Sequence, residues 1–117
     1  MCGIAGVVSI QPGLASETAI KRMLDAQRHR GPDGEGWWSA RLGDVEVALG
    51  HLRLAIIDLT AAGHQPMFLP DCSQGLIFNG EIYNYKELRC ELEELGVYFR
   101  TQSDTEVALW ALATWGT

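Results

Sequence analysis

Met1-Cys2-Gly3 runs without a spacer into residues 4–10, a stretch of isoleucine, valine and small residues. Residues 2–10 therefore read as a buried strand, with Cys2 at its start. No other feature constrains the fold as much, because it makes the N-terminus part of a sheet and not a trailing tail. A cysteine side chain is small, so the initiator methionine in front of it is expected to be trimmed. An α-amine and a thiol would then share one carbon. An α-amine titrates at about 7.7–8.0 and a thiol near about 8.5, so the amine can accept the proton of its own sulfur. Nucleophile and general base would come from one residue, the cysteine counterpart of an N-terminal threonine.

A chain of 117 residues holds one ordinary domain with one real core. Nine Lys and Arg against 15 Asp and Glu leave a net charge of −6, which argues against a nucleic-acid or anionic-membrane surface. There is no charged leader and no apolar run near the ~18 residues of a membrane span, so neither a signal peptide nor a transmembrane helix is expected. Three cysteines, at 2, 72 and 90, form no CxxC pair. Neither a disulfide framework nor a structural zinc is expected on that spacing, and a cytoplasmic location with reduced thiols is expected. Cys72 and Cys90 are assigned no role.

Ser16 caps a helix expected to reach about residue 29, with Ala19, Ile20, Met23 and Leu24 on one face. Residues 29–36 form a loop dense in glycine, but neither GxxxxGK[ST] nor GxGxxG is present, so phosphate binding is not expected. Trp37 and Trp38 are expected in core or interface packing. Residues 45–50 and 52–59 read as two strands, with Arg53 inside the second. Arg53 either points to solvent from a strand edge or meets an anion, because an unpaired buried charge costs several kcal/mol. His51 and His64 have no third ligand in pattern, so no metal site is expected. After a loop over 60–73, residues 75–78 read as a strand leading into Asn79-Gly80. That dipeptide is a hairpin signature before residues 81–85. It can equally aim a side-chain amide and a backbone N–H at a developing oxyanion, and the two readings are compatible. Asn84 with Glu87 opens a helix bearing Leu88, Leu92 and Leu95, residues 97–100 read as a short strand, and Ser103 with Glu106 makes a capping box for a last helix. Val107, Trp110, Ala111 and Thr114 share a stripe on it. Asp104, in its first turn, either complements the helix dipole, worth about 0.3–1 kcal/mol, or holds a ligand's ammonium group.

Five blocks in this order, MCGIAGVV, RHRGPDGEG, GHLRLAIIDL, FNGEIYNYKELR and TQSDTEVAL, closely resemble the N-terminal glutaminase domain of glutamine-dependent asparagine synthetases. That domain is a class II glutamine amidotransferase of the N-terminal-nucleophile (Ntn) type. The resemblance runs over essentially the whole chain and implies an α+β fold, an αββα sandwich of mainly antiparallel sheets, of which residues 1–117 are the N-terminal part. It implies that Cys2 attacks the side-chain amide of glutamine while Asn79 and Gly80 stabilise the oxyanion. Arg53 would grip the substrate carboxylate, Glu81 and Asp104 its ammonium, and backbone near Ile57 would close the pocket. Arg30 and the RGPD loop would pack over the new N-terminus. The glutaminase step is expected to need no cofactor, with Mg-ATP confined to a synthetase (ATP-pyrophosphatase) domain or chain absent here. Partners implied are glutamine and that synthetase, with no nucleic acid and no membrane, and open sheet edges would favour association between copies. The alternative is a catalytically silent module that binds glutamine or a partner.

Overall fold

The computed structural model describes residues 1–56 and 60–117. Its main sheet has three strands, β1 (Gly3–Ser9), β2 (Gly34–Leu42) and β3 (Val45–Arg53), in the order β1-β3-β2. Both pairings are antiparallel, with Gly3 opposite Leu52 and Gly34 opposite Arg53. The first helix, α1 (Glu17–Ala26), lies on one face of this sheet. Ser16 caps it as expected, its hydroxyl accepting from Ala19 N at 3.2 Å. Ile20 and Leu24 are wholly buried against Ala5, Ala48 and Leu52, and burial of each such side chain is worth about 1.5–3 kcal/mol. Alternation along β1 then turns Ile4 and Val8 to the opposite face, where they are 43% and 70% exposed.

Beyond β3 the chain makes a two-stranded sheet of β4 (Met67–Phe68) and β5 (Gly75–Leu76), then α2 (Tyr85–Glu94) and α3 (Asp104–Trp115). The last helix is buried on two sides. Leu109 packs with Met67 and Leu69, and Val107 with Leu92 and Phe99. The class is α+β with antiparallel sheets, and α1 on the three-stranded sheet forms one helix layer and one sheet layer. Among the described residues no helix is long and apolar enough to cross a membrane.

Several local expectations give way to tertiary contacts. α1 ends at Ala26 and a 3-10 turn, Arg28–Arg30, replaces its last turn. Gln27 draws the chain away there, its side-chain amide donating to Ile4 O at 3.3 Å. The two strands expected around residue 51 are one. Gly50 is no break, because the absent side chain admits α1, and a Cβ there would stand 2.6 Å from Ile20 Cγ2. The strand stops at Arg53, and residues 57–59 lie outside the described residues.

Asn79-Gly80 does not close a hairpin. β5 pairs backward with β4, and the Phe78 N–H and C=O are both taken by side chains, those of Gln65 and His51. Residues 97–100 are not a strand either, since Val97 N bonds to Leu92 O and Arg100 N to the Glu106 carboxylate. That carboxylate also accepts from Thr101, so the expected capping box does not form and Ser103 caps the helix alone, its Oγ accepting from Thr105 N. Asn84 makes no side-chain cap, and Leu95 is 62% exposed at the helix end. Trp37 is 38% exposed with Lys21 Nζ 5.6 Å over its ring, while Trp38 is half-buried and tilted against Phe68.

Candidate active site

The register between β1 and β3 brings Cys2 beside the end of β3. Backbone groups hold the thiol there. Leu54 N donates to Cys2 Sγ at 3.3 Å, and the thiol in turn lies 3.6 Å from Leu54 O. Arg30 Nε donates to Cys2 O at 3.2 Å. The loop that carries Arg30 is tied to the same corner, with Asp33 N donating to Arg53 O at 2.9 Å and Ala55 N to Asp33 Oδ2 at 2.9 Å. Met1 is 75% exposed and lines the same cavity as Cys2.

Cys2 opens onto a cavity of about 350 Å³, within the range that small ligands occupy. Asn79, Gly80 and Glu81 line it from one loop, Arg53 from the end of β3 and Asp104 from the first turn of α3. Six of the seven residues named from the sequence thus line one cavity. The seventh, Ile57, lies outside the described residues, and its neighbour Ile56 is on the wall.

The cavity lining carries charges of both signs. Arg53 is half-buried and its Nη1 donates to Thr60 O. The guanidinium lies against Gly63, where a Cβ would stand 2.3 Å from Nη2, so this glycine makes room for it. Asp104 is 7% exposed, and its Oδ2 accepts from Ile82 N at 3.0 Å. The α3 N-terminus favours its negative charge, and Glu81 adds a second, exposed carboxylate. A guanidinium with carboxylates in one cavity complements the two charges that an α-amino acid carries on one carbon.

Sequence reasoning missed four contributors: the Leu54 N–H, Gly63, Gln65 and His51. Each acts through a contact between segments distant in the chain, for which no local pattern exists. His51 is 1% exposed on β3, and its Nε2 lies 3.2 Å from Phe78 O. Burial pushes its pKa from 6.5 down to about 4; the Phe78 carbonyl opposes this, and His64 and Arg53 lower it further. A carbonyl only accepts, so the neutral ring carries its proton on Nε2.

A pH dependence of stability follows. The unfolded chain takes up this proton near pH 6.5 and the folded chain only near about 4. The stabilisation present above 6.5 is therefore lost as pH falls toward 4, by about 3 kcal/mol in all. Chemical denaturation across that window should reveal the loss, and His51→Gln should flatten it. An equally steep profile in the variant would mean that His51 is not its source.

The profile of a family described as "Glutamine amidotransferase domain" matches residues 1–117. Asparagine synthetase [glutamine-hydrolyzing] 1 of Bacillus subtilis is 46% identical over 112 residues, covering 93% of this chain and 17% of that protein. A putative asparagine synthetase [glutamine-hydrolyzing] of Mycobacterium tuberculosis is 42% identical over 130 residues, covering 100% and 20%. Putative asparagine synthetase [glutamine-hydrolyzing] 2 of Methanocaldococcus jannaschii is 38% identical over 123 residues, covering 93% and 23%. The chain thus spans less than a quarter of the length of these relatives.

Proposed function

Because the chain belongs to the glutamine amidotransferase domain family, we propose that it carries the glutaminase half-reaction, hydrolysing glutamine to glutamate and ammonia through a thioester on Cys2. Met1 is first removed. The freed α-amine takes the Cys2 proton as sulfur adds to the side-chain amide carbon, and the amide oxygen becomes an oxyanion. The Asn79 amide and the Gly80 N–H stabilise that charge, a contribution of about 2.7–4 kcal/mol per donor in other enzymes. The proton then passes to the leaving nitrogen, ammonia departs, and the thioester remains. Water adds with the amine as base, the second adduct collapses, and glutamate leaves with the thiol restored.

Ammonia passes to an asparagine-synthetase-type acceptor site on a synthetase domain or chain, where Mg-ATP belongs. The glutaminase step itself draws on no cofactor.

One observation supports this function above the others. Cys2, two candidate oxyanion donors, a guanidinium and a shielded carboxylate line the same cavity. The test uses the protein at its full natural length. Glutamate release is followed, a glutamine-like diazo ketone is offered as a thiol label, and intact mass reports the fate of Met1. Turnover with the label on an N-terminal Cys2 supports the proposal. Glutamine binding with neither turnover nor label would leave a silent binding module instead.

The α-carboxylate assignment makes its own prediction. Arg53→Lys should raise KM for glutamine about tenfold or more with kcat less affected, because an ammonium cannot reproduce the planar fork. Gly63→Ala should do the same in milder form, since the new methyl displaces Nη2. Unchanged KM in both variants would remove Arg53 from the substrate site.

A further inference from the structure

The loop that carries Asn79 and Gly80 has no ladder of its own. β5 ends at Leu76, and no strand or helix is formed again before Tyr85. Two backbone donors of that loop nevertheless have fixed partners. Phe78 N donates to Gln65 Oε1 at 2.6 Å, and Ile82 N to Asp104 Oδ2 at 3.0 Å. The Phe78 carbonyl accepts from His51 Nε2 at 3.2 Å. Gln65 is itself anchored, its Nε2 donating to Thr105 Oγ1 at 3.2 Å near the start of α3.

Both side chains are costly choices for packing alone. His51 is 1% and Gln65 5% exposed, and a buried imidazole or carboxamide is tolerated only when hydrogen-bonded. An apolar residue of similar volume would fill either position. What the polar groups add is control of two successive peptide planes. The Phe78 carbonyl and the Asn79 N–H belong to a single planar unit, so fixing that oxygen also fixes the direction in which residue 79 leaves. The Gln65 bond fixes the preceding plane. The chain therefore enters Asn79-Gly80 with its orientation set from β3 on one side and from the segment ahead of β4 on the other.

We propose that His51 and Gln65 are positioning residues for amide hydrolysis: they clamp Phe78 so that the Asn79 amide and the Gly80 N–H face the adduct formed on Cys2. This rests on the glutaminase function proposed above. His51 lies off the cavity lining and Gln65 on it, and each acts through its bond to Phe78. Donors of this kind stabilise charge that exists only in the transition state, so their misalignment lowers kcat and leaves substrate affinity nearly unchanged.

The experiment is steady-state kinetics of the full natural-length protein, with kcat normalised to the Cys2 thiol titrated by the diazo ketone. The variants are His51→Asn, His51→Gln and Gln65→Met, run beside wild type and Asn79→Ala. The carboxamide of Gln reaches the place of Nε2, whereas that of Asn stops short. His51→Asn and Gln65→Met are expected to lower kcat about ten- to a hundredfold with KM within about threefold. His51→Gln should restore kcat to within about threefold of wild type. Equal kcat in His51→Asn and His51→Gln, or wild-type kcat in Gln65→Met, would overturn the clamp while leaving the glutaminase function standing. Absence of turnover in wild type would overturn both together, whereas a full rate in Asn79→Ala would overturn the clamp by removing the donor it positions and leave the glutaminase function standing. Should His51→Asn not fold, Gln65→Met decides alone, since the clamp requires both arms.

Discussion

Cys2→Ala is expected to cut glutamate release by about 10⁴- to 10⁶-fold while glutamine still binds, the scale on which removal of a nucleophile acts in other hydrolases. The alanine variant keeps a free α-amine, the loop donors and the charged wall, so substrate recognition survives and only the covalent route is lost. Stability should change by no more than about 1 kcal/mol, because the sulfur is half-buried and its protein contacts are to the Leu54 backbone. A companion variant separates the two functions assigned to this residue. Inserting a lysine between Met1 and Cys2 leaves the thiol in the chain but turns its nitrogen into an amide. Turnover should then fall as far as in Cys2→Ala, although the thiol is still present to be alkylated. Substantial turnover in the insertion variant would show that some other group takes the proton, and the N-terminal amine would lose its place in the mechanism. Measuring glutamate release and intact mass on the same preparations keeps retained Met1 from being mistaken for a catalytic defect.

What could be read ahead of the structure was local. The apolar run behind Cys2 forms β1, and the Ser16 cap with Ile20 and Leu24 forms α1, because each rests on neighbours within one turn or one pleat. The site residues came from motif resemblance, and the fold then gathers six of them around one cavity. Reading failed where a local signal competed with distant side chains. Asn79-Gly80 has the chemistry of a tight hairpin, yet Gln65 and His51, 13 and 27 residues away, capture the peptide groups around Phe78. Ser103 and Glu106 have the spacing of a capping box, yet the Glu106 carboxylate turns to Arg100 and Thr101. Nothing in the loop over 60–73 marks Gly63 as the floor beneath Arg53 or Gln65 as a buried anchor. Both roles exist only once the loop is folded back against β3, and a glycine or glutamine in such a segment reads as ordinary turn chemistry.

Asn79→Ala should lower kcat about 10²- to 10³-fold, equivalent to about 2.7–4 kcal/mol of transition-state stabilisation, with KM for glutamine close to that of wild type. The reason lies in when the interaction forms. A ground-state amide oxygen carries partial charge and is served adequately by water, but the adduct oxygen carries a full charge. A donor on the cavity wall therefore matters mainly after sulfur has added. Asn79 is exposed on that wall, so its truncation should alter stability by no more than about 0.5 kcal/mol, and the loss cannot be ascribed to unfolding. Asn79→Asp sharpens the test. The shape is kept while a donor becomes an anion facing the developing charge, so this variant should be slower than Asn79→Ala at neutral pH. Partial recovery of kcat at lower pH, as the new carboxyl protonates and can donate again, would mark the effect as electrostatic. If Asn79→Asp matched wild type, or if both variants raised KM with kcat intact, Asn79 would be a substrate-binding residue and the oxyanion would have to be served by the Gly80 N–H without it.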